Sequence, residues 1–162
     1  LFSSHFISKD PFKGRRTPWH EDSAYWEGKF DRFDQLITVW LALDKTDREN
    51  GCMGVIPGTH QNGFSSYEDV ADTGKNTFAS EIKAEDIDES KAVWFELEKG
   101  TCSLHDGRII HGAGPNESPR RRAGYTMRYF NLSMKFNPEA APGHQLFYAR
   151  GENVADNPLI YK

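Results

Sequence analysis

Turn-forming residues interrupt this chain at short intervals, so its apolar residues fall into brief runs. One run, residues 36–43, is apolar on both faces and rich in β-forming residues, which predicts a central strand. Further strands are predicted at residues 4–8, 17–25, 52–56, 92–96, 101–105, 109–111 and 123–134. Many short strands with few helices favour an all-β fold with minor α content, a sandwich or jelly roll, over a parallel α/β sheet.

Residues 61–90 differ in character, because they are polar, acidic and poor in large apolar side chains. We expect an insert with short helices near residues 67–71 and 84–89. Irregular segments of this length act as lids or binding loops, or are mobile solvated excursions, and the sequence leaves both open. No internal repeat marks a second domain, so a single domain over residues 1–162 is predicted, with the tail from residue 137 wrapping its surface.

Composition narrows the class of partner. The 24 acidic and 20 basic residues give a formal charge of −4, which argues against nucleic acid and anionic membranes, since both require a basic face. No apolar run approaches the roughly 20 residues that span a bilayer. A small-molecule partner is therefore expected, while the oligomeric state is left open.

Cysteine content and the start of the chain bear on its compartment. Cys52 and Cys102 are too few for a disulfide scaffold, so we expect two small buried thiols in a reducing compartment, the cytoplasm, with one bridge as the alternative. The first residues lack the basic region and apolar core of a signal peptide. They also lack an initiator Met, from which we expect further residues upstream.

The sharpest local motif is His20-Glu21-Asp22. On a strand, His20 and Asp22 would face one side and Glu21 the other. An imidazole and a carboxylate so placed can bind one metal ion, and a second imidazole would complete the facial triad of non-haem Fe(II) oxygenases. This spacing alone is also common at solvated strand ends.

The second imidazole has several candidates in the sequence. His111 ends an apolar strand at a glycine-rich bend, where a ligand can be presented to a cavity, and it is preferred for that reason. The remaining candidates are His5, His60, His105 and His144.

An arginine-rich strand follows the distal histidine. Arg122, Thr126 and Arg128 would share one face of it. An arginine inside an apolar barrel is costly without an anion, whereas a bidentate carboxylate ligand would satisfy it. The arginine-bearing face looks either to such a cavity or to solvent, and the sequence alone does not choose.

Taken together, these segments resemble the phytanoyl-CoA dioxygenase family of Fe(II)- and 2-oxoglutarate-dependent oxygenases. The matching stretches are TPWHEDSAYW at 17–26, VWLALD at 39–44, ENGCMGVIPGTH at 49–60 and HGAGPNES at 111–118. They occur in family order and, with the arginine run, extend over most of residues 1–134. The resemblance implies a double-stranded β-helix, or jelly-roll, core with His20, Asp22 and His111 as iron ligands.

The resemblance also implies a set of co-substrate contacts. Arg122 matches the arginine that pairs with the far carboxylate of 2-oxoglutarate, and Trp40 matches a tryptophan beside it. Ala113 stands where the family often has serine, so Thr38 or a water is expected to replace that contact. The family's N-terminal helical region has no counterpart in this chain.

The implied activity is hydroxylation of a small organic substrate with O2 and 2-oxoglutarate, releasing succinate and CO2. Trp26 and Arg128 are candidate substrate contacts, and the 61–90 insert is a candidate lid. Two other functions fit the same three residues: a zinc-dependent hydrolase with an activated water, and a jelly-roll protein that binds metal or ligand without catalysis.

Overall fold

The computed structural model describes residues 1–161, in which every helical segment is a short 3-10 turn. The strands are β1 (Ser3–Lys9), β2 (Thr17–His20), β3 (Leu36–Ala42), β4 (Met53–Val55), β5 (Tyr67–Asp69), β6 (Ser80–Ile82), β7 (Val93–Trp94), β8 (Cys102–Asp106), β9 (His111–Ala113), β10 (Arg122–Phe130), β11 (Leu146–Phe147) and β12 (Leu159–Ile160). The 3-10 turns are Asp22–Trp26, Thr59–Gln61, Ala84–Asp86, Glu89–Lys91 and Pro138–Ala140. In this part of the chain no helix has the length and apolarity that crossing a membrane requires.

Two four-stranded antiparallel sheets form the body of the fold. Their strand orders are β1-β10-β3-β8 and β2-β9-β4-β7. Trp40 and Ala42 of the first sheet pack against Met53 of the second, so an apolar layer lies between the sheets. This confirms the predicted all-β jelly roll.

The central strand β3 shows how the pattern produces this packing. Leu36, Thr38, Trp40 and Ala42 are buried, whereas Ile37 on the opposite face is exposed. β3 lies between β10 and β8, as its β-forming residues predict, but only its inner face is covered within residues 1–161.

A second apolar cluster closes one end of the jelly roll. Phe2, Trp26, Phe30 and Phe136 belong to it, with Phe2 stacking edge-on against Trp26 and Phe30. Leu146 of the C-terminal tail is fully buried in the same cluster. The tail therefore contributes to the core as well as wrapping the surface.

Several predicted elements were wrong in detail. The strand predicted at 17–25 ends at His20, and a 3-10 turn follows from Asp22. The helix predicted at 67–71 is instead β5, which pairs with β6 in a hairpin whose Ile82 is buried. Both cysteines are free, but Cys102 is exposed rather than buried, because it lies on the outer face of β8.

Gly124 on β10 makes room for the ring of Trp40. A Cβ at residue 124 would overlap ring atoms of Trp40, which is itself buried between the sheets. We expect Gly124→Ala to lower the free energy of unfolding by about 1–3 kcal/mol, because overpacking forces the ring or the strand to move. The urea midpoint measures this. Gly114→Ala is the matched control, since its Cβ would meet nothing within 4 Å, and equal midpoints for the two variants would contradict the prediction.

Candidate metal centre and cavity

His20 and Asp22, two residues apart, meet the distant His111 where β2 ends and β9 begins. His20 and His111 are directly opposite each other in the β2–β9 ladder, and Asp22 begins the turn after β2. One ligand atom from each residue lies within 4.8 Å of the others. His20 is 4% exposed, Asp22 5% and His111 6%. The predicted set is thus brought together, although Asp22 reaches it through a 3-10 turn and not through strand alternation.

Backbone carbonyls orient both imidazole rings. The Nδ1 of His20 donates to the carbonyl of Pro18 at 2.8 Å, and the Nδ1 of His111 donates to that of Ile109 at 3.0 Å. A hydrogen bond from Nδ1 leaves the Nε2 lone pair free. Nε2 of His20 lies 3.9 Å from Asp22 Oδ1.

Charge states in the cluster suit a divalent cation. Burial, with the neighbouring His111, lowers the pKa of His20 to about 3, so the ring is neutral and able to bind metal. Burial alone would raise the pKa of Asp22, but His111 and Arg128 outweigh it and hold that pKa well below its usual value. A carboxylate with two imidazoles is the donor set of non-haem iron sites.

Asp22 is further held by residues of the opposite sheet. Its Oδ2 accepts hydrogen bonds from Thr38 Oγ1 and Arg128 Nε, both at 3.0 Å, and its Oδ1 accepts one from Arg128 Nη2 at 3.1 Å. Arg128 is therefore engaged with Asp22, and the hydroxyl of Thr38, expected to replace the serine contact, is committed to the same carboxylate.

A cavity extends from the cluster between the sheets. Its lining includes Thr38, Trp40, Met53, Phe78, His105 and Arg122. Trp26 is not among the lining residues, because it packs in the core against Phe2, with the guanidinium of Arg128 5.5 Å from its ring centre. The structure thus brings Trp40, Thr38, Arg122 and Arg128 to the cavity, but not Trp26.

Arg122 is a buried cation without a buried anion. It is 3% exposed, its guanidinium carbon lies 4.4 Å over the ring of Trp40, and its Nε has no hydrogen-bond partner. Burial lowers its pKa to about 10, which still leaves it charged near neutral pH. Among residues 1–161 no acidic side chain forms an ion pair with Arg122, so its buried charge is left without a counter-ion.

Sequence analysis missed a second buried cation beside Arg122. Lys9 is 2% exposed, faces Arg122 across the β1–β10 ladder, and its ammonium donates to the carbonyl of Gly114. Burial lowers the pKa of Lys9 to about 7. Lysine is ordinarily exposed, and the residues around Lys9 in β1 mostly are. The sequence therefore gives no sign that this lysine is buried.

Glu21 links the cluster to the insert. Its carboxylate is fully buried and accepts hydrogen bonds from the hydroxyls of Ser65 and Tyr67, each at 2.7 Å. The ring of Phe78, also in the insert, meets His20 edge-on at 4.8 Å between ring centres. Glu21 therefore turns away from the cluster, and the insert lies against the mouth of the cavity.

Three of the other candidate histidines take no part in the three-residue cluster. His5 contacts Arg128 from the exposed strand β1, His60 lies in the turn Thr59–Gln61, and His144 bonds the carbonyl of Phe2. His105 lines the cavity but is not a member of the three-residue set.

Two histidines and one carboxylate around one cavity form the facial triad of non-haem Fe(II) oxygenases, and a buried arginine lines the same cavity. The sequence profile of the family described as phytanoyl-CoA dioxygenase (PhyH) matches residues 1–124. The chain belongs to this family.

Three relatives illustrate the match. The probable alpha-ketoglutarate-dependent hypophosphite dioxygenase of Stutzerimonas stutzeri is 31% identical over 118 residues, which is 72% of this chain and 40% of that protein. The human peroxisomal phytanoyl-CoA dioxygenase is 32% identical over 117 residues, 69% of this chain and 33% of its own length. The solved structure of the non-heme monooxygenase ThoJ superimposes with a TM-score of 0.77 at 25% identity, with 98% of this chain and 55% of that one covered. The chain thus spans at most about half the length of these proteins.

Proposed function

We propose that this chain carries the catalytic site of an Fe(II)- and 2-oxoglutarate-dependent dioxygenase that hydroxylates a small organic substrate. Arg122 is the observation on which the proposal depends, because a buried guanidinium that stacks on Trp40 but has no ion pair suits an anionic ligand in the cavity of the metal cluster. A hydrolytic zinc site would need only the cluster and would leave this arginine without a role.

The donor set fits the metal that the family implies. His20, Asp22 and His111 would hold Fe(II) through two Nε2 atoms and one carboxylate oxygen, which leaves coordination positions open for ligands. When bound, the iron with 2-oxoglutarate and O2 supplies the oxidising chemistry, in which one oxygen atom enters the substrate and succinate and CO2 are released.

The chain's own residues supply position and exclude water. Arg122 would bind the far carboxylate of 2-oxoglutarate as a bidentate donor. The ring of Trp40, stacked on the guanidinium, would fix its orientation. Arg128 and Thr38 keep the carboxylate of Asp22 in one orientation. Phe78 of the insert covers His20 and narrows the entrance.

The substrate is proposed only as a small organic molecule. The relatives are named for compounds as different as hypophosphite and phytanoyl-CoA, so family membership leaves the substrate class wide. We propose the cytoplasm as the compartment, which two free thiols support, although the human relative is named as peroxisomal.

The test is turnover by the purified full-length protein with Fe(II), ascorbate and 2-oxoglutarate against a panel of small acids, amines and thioesters. We expect succinate formation that depends on 2-oxoglutarate, with a substrate mass gain of one oxygen. Absence of 2-oxoglutarate binding to the metal-loaded protein would contradict the proposal. Ester hydrolysis with zinc would point to the hydrolase, and metal binding without any turnover would point to a binding protein.

A further inference from the structure

His105 is a buried histidine with no hydrogen-bond partner. It lies on the inner face of β8, its side chain is 2% exposed, and neither Nδ1 nor Nε2 has a partner among the described residues. Burying an imidazole with both polar atoms unsatisfied is costly, so such a group in a cavity wall indicates a ligand.

The ring of His105 faces the metal cluster and yet lies outside it. Its Nε2 is 3.9 Å from Asp22 Oδ2, which is too long for a hydrogen bond, and its centre is 4.7 Å from that of His111. Asp22 Oδ2 already accepts two hydrogen bonds, so it does not need a third from His105.

His105 also differs from the two cluster histidines in how its ring is held. The Nδ1 atoms of His20 and His111 are each tied to the carbonyl two residues earlier, which aims Nε2 at the cluster. Nδ1 of His105 has no such bond. Its orientation is therefore completed by whatever enters the cavity.

The two threonine hydroxyls of this inner face that line the cavity are already committed. The hydroxyl of Thr38 donates to Asp22, and that of Thr126 donates to the carbonyl of His5 at 3.3 Å. Ala113, across the cavity, has no side-chain donor at all. An acid bound beside the cluster would need a donor near its metal-bound end, and His105 is an uncommitted one.

We propose that His105 is a further contact for the co-substrate, donating a ring N–H to an oxygen of the 2-oxo acid that binds beside the cluster. This inference rests on the function proposed above. His105 is thereby a binding residue for the acid and not a fourth metal ligand.

The experiment is calorimetric titration of 2-oxoglutarate into Mn(II)-loaded protein, which measures binding without turnover, with Mn(II) affinity measured in parallel. His105→Leu and His105→Phe remove the donor, and the phenylalanine keeps a ring against His111. We expect both to raise the Kd for 2-oxoglutarate at least tenfold while the Kd for Mn(II) changes less than twofold. His105→Gln restores an N–H donor and is expected to recover part of the affinity.

Ser103→Ala is the matched control. Ser103 lies two residues away on the same face of β8 and also buries an unpartnered hydroxyl, but it does not line the cavity, so its removal should leave the Kd for 2-oxoglutarate unchanged. If both donorless variants bind 2-oxoglutarate with wild-type affinity, the role of His105 is overturned while the proposed function stands. A parallel loss of Mn(II) affinity would show a metal ligand instead, and failure of the wild-type Mn(II) protein to bind 2-oxoglutarate would overturn the proposed function as well.

Discussion

Asp22→Ala is expected to abolish turnover and to weaken Fe(II) binding by about two orders of magnitude or more, since even indirect partners of metal ligands are worth 10–100-fold. Asp22 supplies the cluster's only carboxylate, and its low pKa keeps that carboxylate charged throughout the physiological range. Without it, two imidazoles face the cation alone. Fe(II) affinity by anaerobic titration and succinate formation are the two measurements.

Asp22→Ala also has a structural cost. Arg128, whose side chain is only 14% exposed, loses both of its hydrogen bonds to Asp22. Breaking a buried ion pair on one side costs about 3–5 kcal/mol. Asp22→Asn removes the charge at the metal but keeps one acceptor oxygen for Arg128, so its structural cost should be smaller than that of Asp22→Ala.

A surface pair provides the matched control for this change. Asp44 accepts from Arg121 Nε and Nη2 at 2.8 and 3.1 Å, nearly the geometry of Asp22 with Arg128, but the Arg121 side chain is 60% exposed. Asp44→Asn should leave metal binding and turnover at wild-type values. Comparable Fe(II) affinity in Asp22→Asn and Asp44→Asn would rule out Asp22 as a ligand.

The three-residue cluster could be predicted because its residues lie in short motifs at strand ends. Two histidines on neighbouring strands meet wherever the strands pair, and His20 and His111 are indeed opposite each other. The path of Asp22 could not be predicted, because a 3-10 turn and a continued strand both suit the same sequence. Its position depends on Thr38 and Arg128, which come from the other sheet.

The sequence favoured His111 over His105, but it could not show that the two histidines lie on different sheets. His105 and His111 are six residues apart, and their sequence is typical of a single hairpin. In the structure, however, β8 pairs with β3 in the first sheet, whereas β9 pairs with β2 and β4 in the second. The intervening residues therefore cross between sheets. Only the register of the distant strands decides that His111 joins His20 while His105 faces the cluster from the opposite wall.

The insert shows the limit of local propensity. Acidic residues such as Glu68 and Asp69 disfavour a strand, and yet they lie in β5. The hairpin is held from outside by the bonds of Ser65 and Tyr67 to Glu21 and by the burial of Ile82. The contacts with Glu21 involve a residue outside the insert, so they could not be predicted from the sequence of residues 61–90.

Arg122→Met is expected to raise the 2-oxoglutarate concentration for half-saturation by about 100-fold or more, because a bidentate, charge-assisted pair in a dry cavity is lost. The free energy of unfolding of the ligand-free protein is expected not to fall. Arg122 has no anionic partner among residues 1–161, so removing its buried charge relieves a desolvation penalty that offsets the lost stacking on Trp40.

This pairing of effects distinguishes a ligand-binding arginine from a structural one. A structural arginine would lose stability on substitution and leave 2-oxoglutarate affinity in the folded fraction unchanged. Arg121→Met, at the neighbouring exposed residue, serves as the control and should change neither quantity by much. Arg122→Lys keeps the charge without the planar fork, so its 2-oxoglutarate affinity should lie between wild type and Arg122→Met. An Arg122→Met protein that binds 2-oxoglutarate like wild type would remove the central support for a dioxygenase site.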